Sequence, residues 1–361
     1  MANLRLTEDT FGPLQPFVED KDITDIRWDG NNLWIDNLKY GKQKTDIKLD
    51  EKFINKFTQR VADSTNKSFN ESSPVLEGET DKLRIACLHE SKTNTGTAIT
   101  IRKTEAECRL NDDNIIRDGY LDERTLDLLK RLVKARCSIV VTGDTGSGKT
   151  ELVKYLASHT AENEKIITIE DTLELHLDKI FPHRDIVAMK TNNIASYSDV
   201  LVTCMRQNPR WILLSEVRSA EAVTAVRNSI SSGHNIISTI HSDRALNIPM
   251  RMYSLLENSQ DIDQFLKSIH RYVQIGVHVK GYMSKELGRF QREIIEVVEF
   301  YVDENNEAKA NIIFKKSLDG KFSFNNPSKY LIDYLGVQGV TLKEDYFVKK
   351  NDNQNERIES L

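Results

Sequence analysis

The sequence predicts a two-domain α/β chain: a domain built on a mostly parallel sheet over about 121–348, preceded by a small α+β domain over 1–110. Three observations carry this expectation. Apolar runs at Ser138–Thr142, Lys165–Ile169, Trp211–Leu214 and Asn235–Ile240 alternate with stretches of helical periodicity. Each run delivers polar or charged residues straight past its carboxyl end, which is where open parallel sheets bind ligands. And 361 residues is long for a single core, while Asp22–Lys103 reads as short strands around one amphipathic helix.

In chain order, Ile23, Ile26 and Trp28, an Asp29-Gly30 turn and Leu33-Trp34-Ile35 read as a hairpin. A further strand is expected at Thr45–Leu49, then a helix carrying Phe53, Ile54, Phe57 and Val61 on one face. Strands at Lys82–Leu88 and Thr97–Arg102, joined by the polar loop Ser91–Gly96, complete a small antiparallel sheet. The charged, Asn- and Gly-containing segment Asn111–Tyr120 is the expected linker.

After a helix at about Asp122–Arg136 comes Ser138–Thr142 and then Gly143-Asp144-Thr145-Gly146-Ser147-Gly148-Lys149-Thr150, a G-x-x-x-x-G-K-T loop. Glycines let successive backbone N–H groups converge on phosphate oxygens, and the following helix (Leu152, Val153, Leu156, Ala157) presents its positive end. Helices follow at about Tyr197–Arg206 and Ala220–Ser231, with two more around Ile248–Leu256 and Ile262–Ile269. Strands are expected at Tyr272–Val279, Arg289–Tyr301 and Ala310–Phe314, the last two forming a hairpin around Asp303–Asn306. The polar tail Lys349–Leu361 reads as disordered.

A formal net charge of −5 gives no strong sign of direct nucleic-acid binding. There is no membrane-spanning run, and Met1–Thr10 has neither a basic n-region nor an apolar h-region, so no secretory signal is expected. Cys87, Cys108, Cys137 and Cys204 lie far apart without a C-x-x-C pair, as reduced cytosolic thiols do.

The chemistry these strand ends suit is phosphoryl transfer from ATP to water, which needs neutralised phosphates, Mg²⁺ and a group that orients the attacking water. Lys149 would reach the β- and γ-phosphates, and the Thr150 hydroxyl would ligate Mg²⁺. Glu216, past Trp211–Leu214, is the candidate for orienting water; the alternative is an acidic cap on the helix starting near Ser219. Glu170, Asp171 and Glu174 either hold Mg²⁺ through water or form a solvated turn. His234 and His241 frame one strand, as γ-phosphate sensors or as structural histidines; His176 and His183 have no metal spacing. Arg206, Arg210 and Arg218 are candidates for stabilising transition-state charge, in their own subunit or across an interface, with surface ion pairs as the alternative. Arg84 and Arg102 of the first domain are candidates for closing over the nucleotide.

Four stretches together, GDTGSGKT, IEDTLEL, ILLSEVRSAEA and GHNIISTIH, resemble the Walker A, Asp-box, Walker B and His-box motifs of the type II/type IV secretion ATPase superfamily. The similarity runs from about Ile23 to Phe300 and is nearest the conjugation and tight-adherence branch, since the cysteine cluster of many type II members is absent. The resemblance implies a homohexamer of RecA-like ATPase domains, each preceded by a small PAS-like α+β domain, with nucleotide between the two. Lys149, Thr150, Glu170, Asp171, Glu174, Arg206, Glu216, Arg218 and His241 match functional positions; Glu151 falls beside the phosphate loop, and Arg84 and Arg102 match a more variable domain. On this basis Lys149, Glu170, Arg206, Glu216, Arg218 and His241 are the expected catalytic set, and Thr150, Glu170, Asp171, Glu174 and Glu216 the expected metal set.

The resemblance further implies a cytoplasmic protein, peripheral at the inner face of the cytoplasmic membrane. There it would drive inner-membrane components of a secretion, conjugation or pilus apparatus. The alternatives are a nucleotide-regulated assembly platform and a DNA-translocating ATPase. Two positions depart from the pattern: Ser215 stands where the family has Gly, and Arg210 where it has an acid.

Overall fold

The computed structural model describes residues 8–191, 195–256, 261–317, 320–342 and 346, so the tail at 349–361 lies outside the described residues. The chain divides into two compact units, 1–106 with 282–291, and 107–281 with 292–361.

In the first unit, short helices α1 (Glu8–Phe11) and α2 (Gln15–Glu19) precede strands β1 (Ile23–Trp28), β2 (Leu33–Asn37) and β3 (Gly41–Lys44). Helix α3 (Glu51–Thr65) follows, then β4 (Val75–Glu79), β5 (Leu83–Leu88) and β6 (Ala98–Lys103), giving the sheet order β3-β2-β1-β6-β5-β4. The Asp29-Gly30 turn forms as expected: Asp29 Oδ1 accepts from the N–H groups of Asn31 and Asn32, and Oδ2 from Trp34 Nε1. Phe57 and Val61 of α3 pack with Trp28, Leu33, Ile85, Ile99 and Ile101 in one apolar core. The strand expected at Thr45–Leu49 is instead β3, four residues earlier. Its partner β2 runs out at Leu33, opposite Thr45, so the alternation Thr-Asp-Ile-Lys-Leu has no neighbour left to pair with.

The second unit opens with α4 (Asp112–Arg117) and α5 (Glu123–Lys134). The Asn111–Tyr120 stretch thus carries a helix closed by a reciprocal Asn111–Asn114 capping box, and the division between units falls just ahead of it, at Ala106. There follow β7 (Ile139–Thr142), α6 (Lys149–Ser158), β8 (Ile166–Glu170), α7 (Leu177–Ile180), β9 (Ile186–Lys190), α8 (Tyr197–Met205), β10 (Trp211–Leu214), α9 (Ala220–Ser231) and β11 (Asn235–Ile240). The rest is α10 (Ile248–Ser254), α11 (Ile262–Tyr272), β12 (Ile275–Ser284), β13 (Arg289–Val302), β14 (Ala308–Lys316), β15 (Phe322–Phe324) and α12 (Lys329–Val337).

The sheet order is β15-β14-β13-β12-β7-β11-β10-β8-β9, with β12, β7, β11, β10, β8 and β9 paired in parallel and β13, β14 and β15 joined antiparallel. Every residue of β7, β8 and β10 is buried, because both faces are covered by apolar layers. Ile139 and Val141 face α5 and α6, while Val140 faces the side of α8, α9, α10 and α11. Parallel pairing brings the carboxyl ends of β7, β11, β10 and β8 to one edge, in that spatial order.

Candidate nucleotide-binding site

At that edge β7 opens into the glycine-rich loop, whose geometry only glycine satisfies at two points. Gly143 has φ +149°, and a β-carbon there would stand 2.1 Å from the Val279 carbonyl oxygen of β12. Gly148 takes a left-handed conformation as the N-cap of α6, so the chain turns into the helix with its N–H groups facing back over the loop. Lys149 is largely buried; its Nζ donates to the carbonyl oxygens of Gly143 (2.8 Å) and Asp144 (2.9 Å). The Ser147 hydroxyl is buried without a hydrogen-bond partner. A ring of donors with an unsatisfied hydroxyl is what a phosphate fits.

The next strand end, that of β11, supplies His241. Its Nδ1 faces Lys149 Nζ at 3.5 Å and its Nε2 lies 2.9 Å from Glu216 Oε1. An ammonium only donates and a carboxylate only accepts, so a neutral ring must carry its proton on Nε2. Glu216 is held beside β11 by backbone: Val217 N–H donates to Thr239 O (2.7 Å), and the Thr239 hydroxyl donates to Ser215 O (2.5 Å). Ser215, one of the two departures from the family pattern, accepts this bond through its carbonyl, so its side chain does not disturb the arrangement.

Beyond β10, β8 ends in Glu170 and Asp171. Asp171 pairs with Arg218. Glu170 is fully buried: its Oε1 accepts from the Thr168 hydroxyl (3.0 Å), and its Oε2 from the N–H groups of Glu174 (2.8 Å) and Leu175 (3.0 Å). Burial pushes its pKa up to about 7, against the opposing pull of these hydrogen bonds. The carboxyl is thus spent on shaping the turn that presents Asp171. Among the described residues no group of three or more His, Cys, Asp or Glu side chains could hold a metal ion. A hard oxygen donor suited to Mg²⁺ is the hydroxyl of Thr150, in the first turn of α6; this ion keeps several waters and takes phosphate oxygens as ligands.

The other expected residues have the following surroundings. Arg206 is the exposed C-cap of α8, five residues before β10, and so sits at the amino-terminal edge of the sheet. Arg210 is at that edge too, its Nε 4.0 Å from Glu164, as is His234, whose Nδ1 is 2.8 Å from Pro209 O. A cavity of about 660 Å³ lined by Arg136, Glu164, Arg210 and His234 opens there, across the sheet from the phosphate loop. Glu151 accepts from the Arg109 N–H (2.9 Å) and from Lys154 Nζ (3.1 Å), fastening the 107–110 segment to α6. In the first unit Arg102 Nε donates to Asp25 (3.0 Å), and Arg84 is 4.0 Å from Glu77.

Three supporting groups left no sequence signal. Glu296 of β13 accepts from Arg244 (2.7 Å) and from the Ala245 N–H (2.8 Å), and Arg251 donates to His241 O (3.1 Å), fixing the turn after His241. Arg292, also on β13, donates through Nε to Gly146 O (3.2 Å). All are brought in across fifty or more intervening residues or by a neighbouring helix, where no spacing pattern operates.

The chain is similar to known proteins in sequence and in fold. The family model described as Type II/IV secretion system protein matches residues 73–298. An uncharacterized protein of Bacillus anthracis is 28% identical over 325 residues, covering 87% of this chain and 72% of that one. The type IV secretion system protein VirB11 of Brucella suis is 25% identical over 323 residues, covering 78% and 88%. The solved structure of the ATPase DotB from Yersinia pseudotuberculosis superposes with a TM-score of 0.61 at 14% identity, covering 82% of this chain and 80% of that one.

Proposed function

This chain belongs to the Type II/IV secretion system protein family, and from that premise we propose that it hydrolyses ATP and passes the resulting motion to a secretion, conjugation or pilus apparatus. The observation that carries the reading is the line Lys149–His241–Glu216, which joins the phosphate loop to an acid two strands away. ATP phosphates take up the donors of the loop, with Lys149 Nζ exchanging the Gly143 and Asp144 carbonyls for phosphate oxygens. With Thr150 Oγ1 as protein ligand, magnesium supplies neutralisation of phosphate charge when bound. Glu216 orients the attacking water and accepts its proton; His241 holds the carboxylate from the loop side and reports whether Lys149 is engaged. Arg218, positioned by Asp171, contributes positive charge to the transition state. Arg206, on the opposite edge, serves an adjoining subunit of a homohexamer.

Among the described residues no helix is long and apolar enough to cross a membrane. The proposed partners are further copies of the chain and membrane-embedded components at the inner face of the cytoplasmic membrane. The similarity to the type IV secretion system protein VirB11 of Brucella suis supports this choice.

Steady-state phosphate release tests the proposal: turnover should be abolished by Lys149→Ala and by Glu216→Gln. A wild-type rate equal to that of both variants would leave a nucleotide-regulated platform instead. Turnover stimulated by single-stranded or duplex DNA, with salt-sensitive binding, would favour a DNA translocase.

A further inference from the structure

The phosphate loop is flanked on both sides: His241 comes from β11, and on the far side of β12 strand β13 brings Arg292. Arg292 Nε donates to Gly146 O at 3.2 Å, and its Cδ lies 3.3 Å from where a β-carbon on Gly148 would be. The geometry points to Arg292 as a positioning residue of the nucleotide site, acting through the Gly146–Ser147 peptide. This assignment rests on the nucleotide reading above and names a residue that reading does not use.

The physical link is peptide planarity. In a trans peptide the carbonyl of residue 146 and the N–H of residue 147 point in opposite directions. Pinning Gly146 O from the β13 side therefore turns the Ser147 N–H inward across the loop, where it donates to Asp144 O at 3.2 Å. Lys149 Nζ donates to that same oxygen at 2.9 Å. Two donors that a phosphate oxygen needs are thus already collected around one acceptor. Ser147, on one side of this peptide, is buried, whereas Asp144, Thr145 and Gly146 are exposed, so the packing of those three residues does not hold the carbonyl side.

The strand that carries the guanidinium is itself held. Ile294 N–H donates to Tyr120 O (2.9 Å), Glu293 pairs with Lys316, and Glu293 and Ile294 are buried. Arg292 therefore approaches the loop from a stiff support. Preorganised donors bind nucleotide without the cost of ordering the loop first.

The test separates the Nε donor from the charge. Glutamine places its side-chain N–H at the chain position of arginine Nε but is neutral; lysine keeps the charge but has a methylene there. Full-length protein is titrated with fluorescent ADP and ATP analogues and Mg²⁺, by anisotropy, for wild type, Arg292→Gln, Arg292→Lys and Arg292→Ala. The expected result is ~10-fold or greater loss of affinity for both nucleotides in the Lys and Ala variants, with the Gln variant within about threefold of wild type. Wild-type affinity in all three overturns the assignment. So does retention by Lys with loss in Gln, which makes charge the operative feature, and so does equal loss in all three. Gln and Lys both keep the aliphatic stem against Gly148, so their comparison carries the test even if Arg292→Ala does not fold. Failure of wild type to bind either probe defeats the nucleotide reading itself, and the assignment with it.

Discussion

His241 Nε2 stands 2.9 Å from Glu216 Oε1, so the acid proposed to orient water is clamped by a ring whose other nitrogen faces Lys149. Groups that act as one unit lose their effect together.

Glu216→Gln is therefore expected to lower turnover at saturating ATP by ~10²-fold or more, and His241→Ala by ~10-fold or more. The double variant should be close to the worse single one. Phosphate release measured on all four proteins checks this; multiplicative losses would show that the two side chains act independently.

Glu170 gives a pH dependence of stability. Its folded pKa, raised by burial to about 7, lies above the usual value of 4.5, so the folded state holds the proton more tightly between those limits. Its contribution is most favourable below pH 4.5 and is lost as pH rises through about 7. Glu170→Gln cannot titrate and keeps an acceptor for the Glu174 and Leu175 N–H groups. Wild type should lose on the order of 2 kcal/mol relative to this variant between roughly pH 5 and 8. Urea denaturation at stepped pH measures the difference, and parallel curves would refute it.

Two loop glycines should respond unequally. Gly143→Ala drives a β-carbon to 2.1 Å from Val279 O, displacing backbone against backbone. Gly146, with φ +77°, has nothing within 4 Å. Thermal denaturation should show a loss of roughly 2–4 kcal/mol for Gly143→Ala and about 1–2 kcal/mol for Gly146→Ala.

The Asp171–Arg218 pair separates stability from chemistry. Arg218 is more than half exposed, so Arg218→Ala should cost less than ~1 kcal/mol of stability. The same change should reduce turnover by ~10-fold or more. Unchanged turnover would assign the pair to the surface alone.

Much of the second unit was legible because its central strands are fully buried and carry a continuous apolar signal. Trp211–Leu214 and Ile139–Thr142 admit no other reading once Gly, Asn and charged residues bracket them. The edge strand Ile186–Lys190, with every residue partly or fully exposed, escaped notice for the opposite reason. So did β4, where Leu76 and Gly78 are the buried positions. Strand order was not legible: β11 enters between β7 and β10 through contacts about a hundred residues apart. Hence the sequence located His241 and Glu216 at strand ends but not their contact, and it offered no hint of Arg292 or Glu296.

The segment 282–291 counts with the first unit although it lies deep in the second half of the chain. Phe290 N–H donates to Lys39 O at 2.5 Å, and Gly41 faces the Phe290 ring. Chain passes between units after Ala106, Gly281 and Gln291, so there is no single cut site for genetic dissection. A fragment starting at Glu107 keeps a hairpin tip stripped of its docking sheet, with Met283, Leu287 and Phe290 as a sticky end. Truncation experiments on this protein need that tip shortened as well, or aggregation of the fragment will be misread as loss of function.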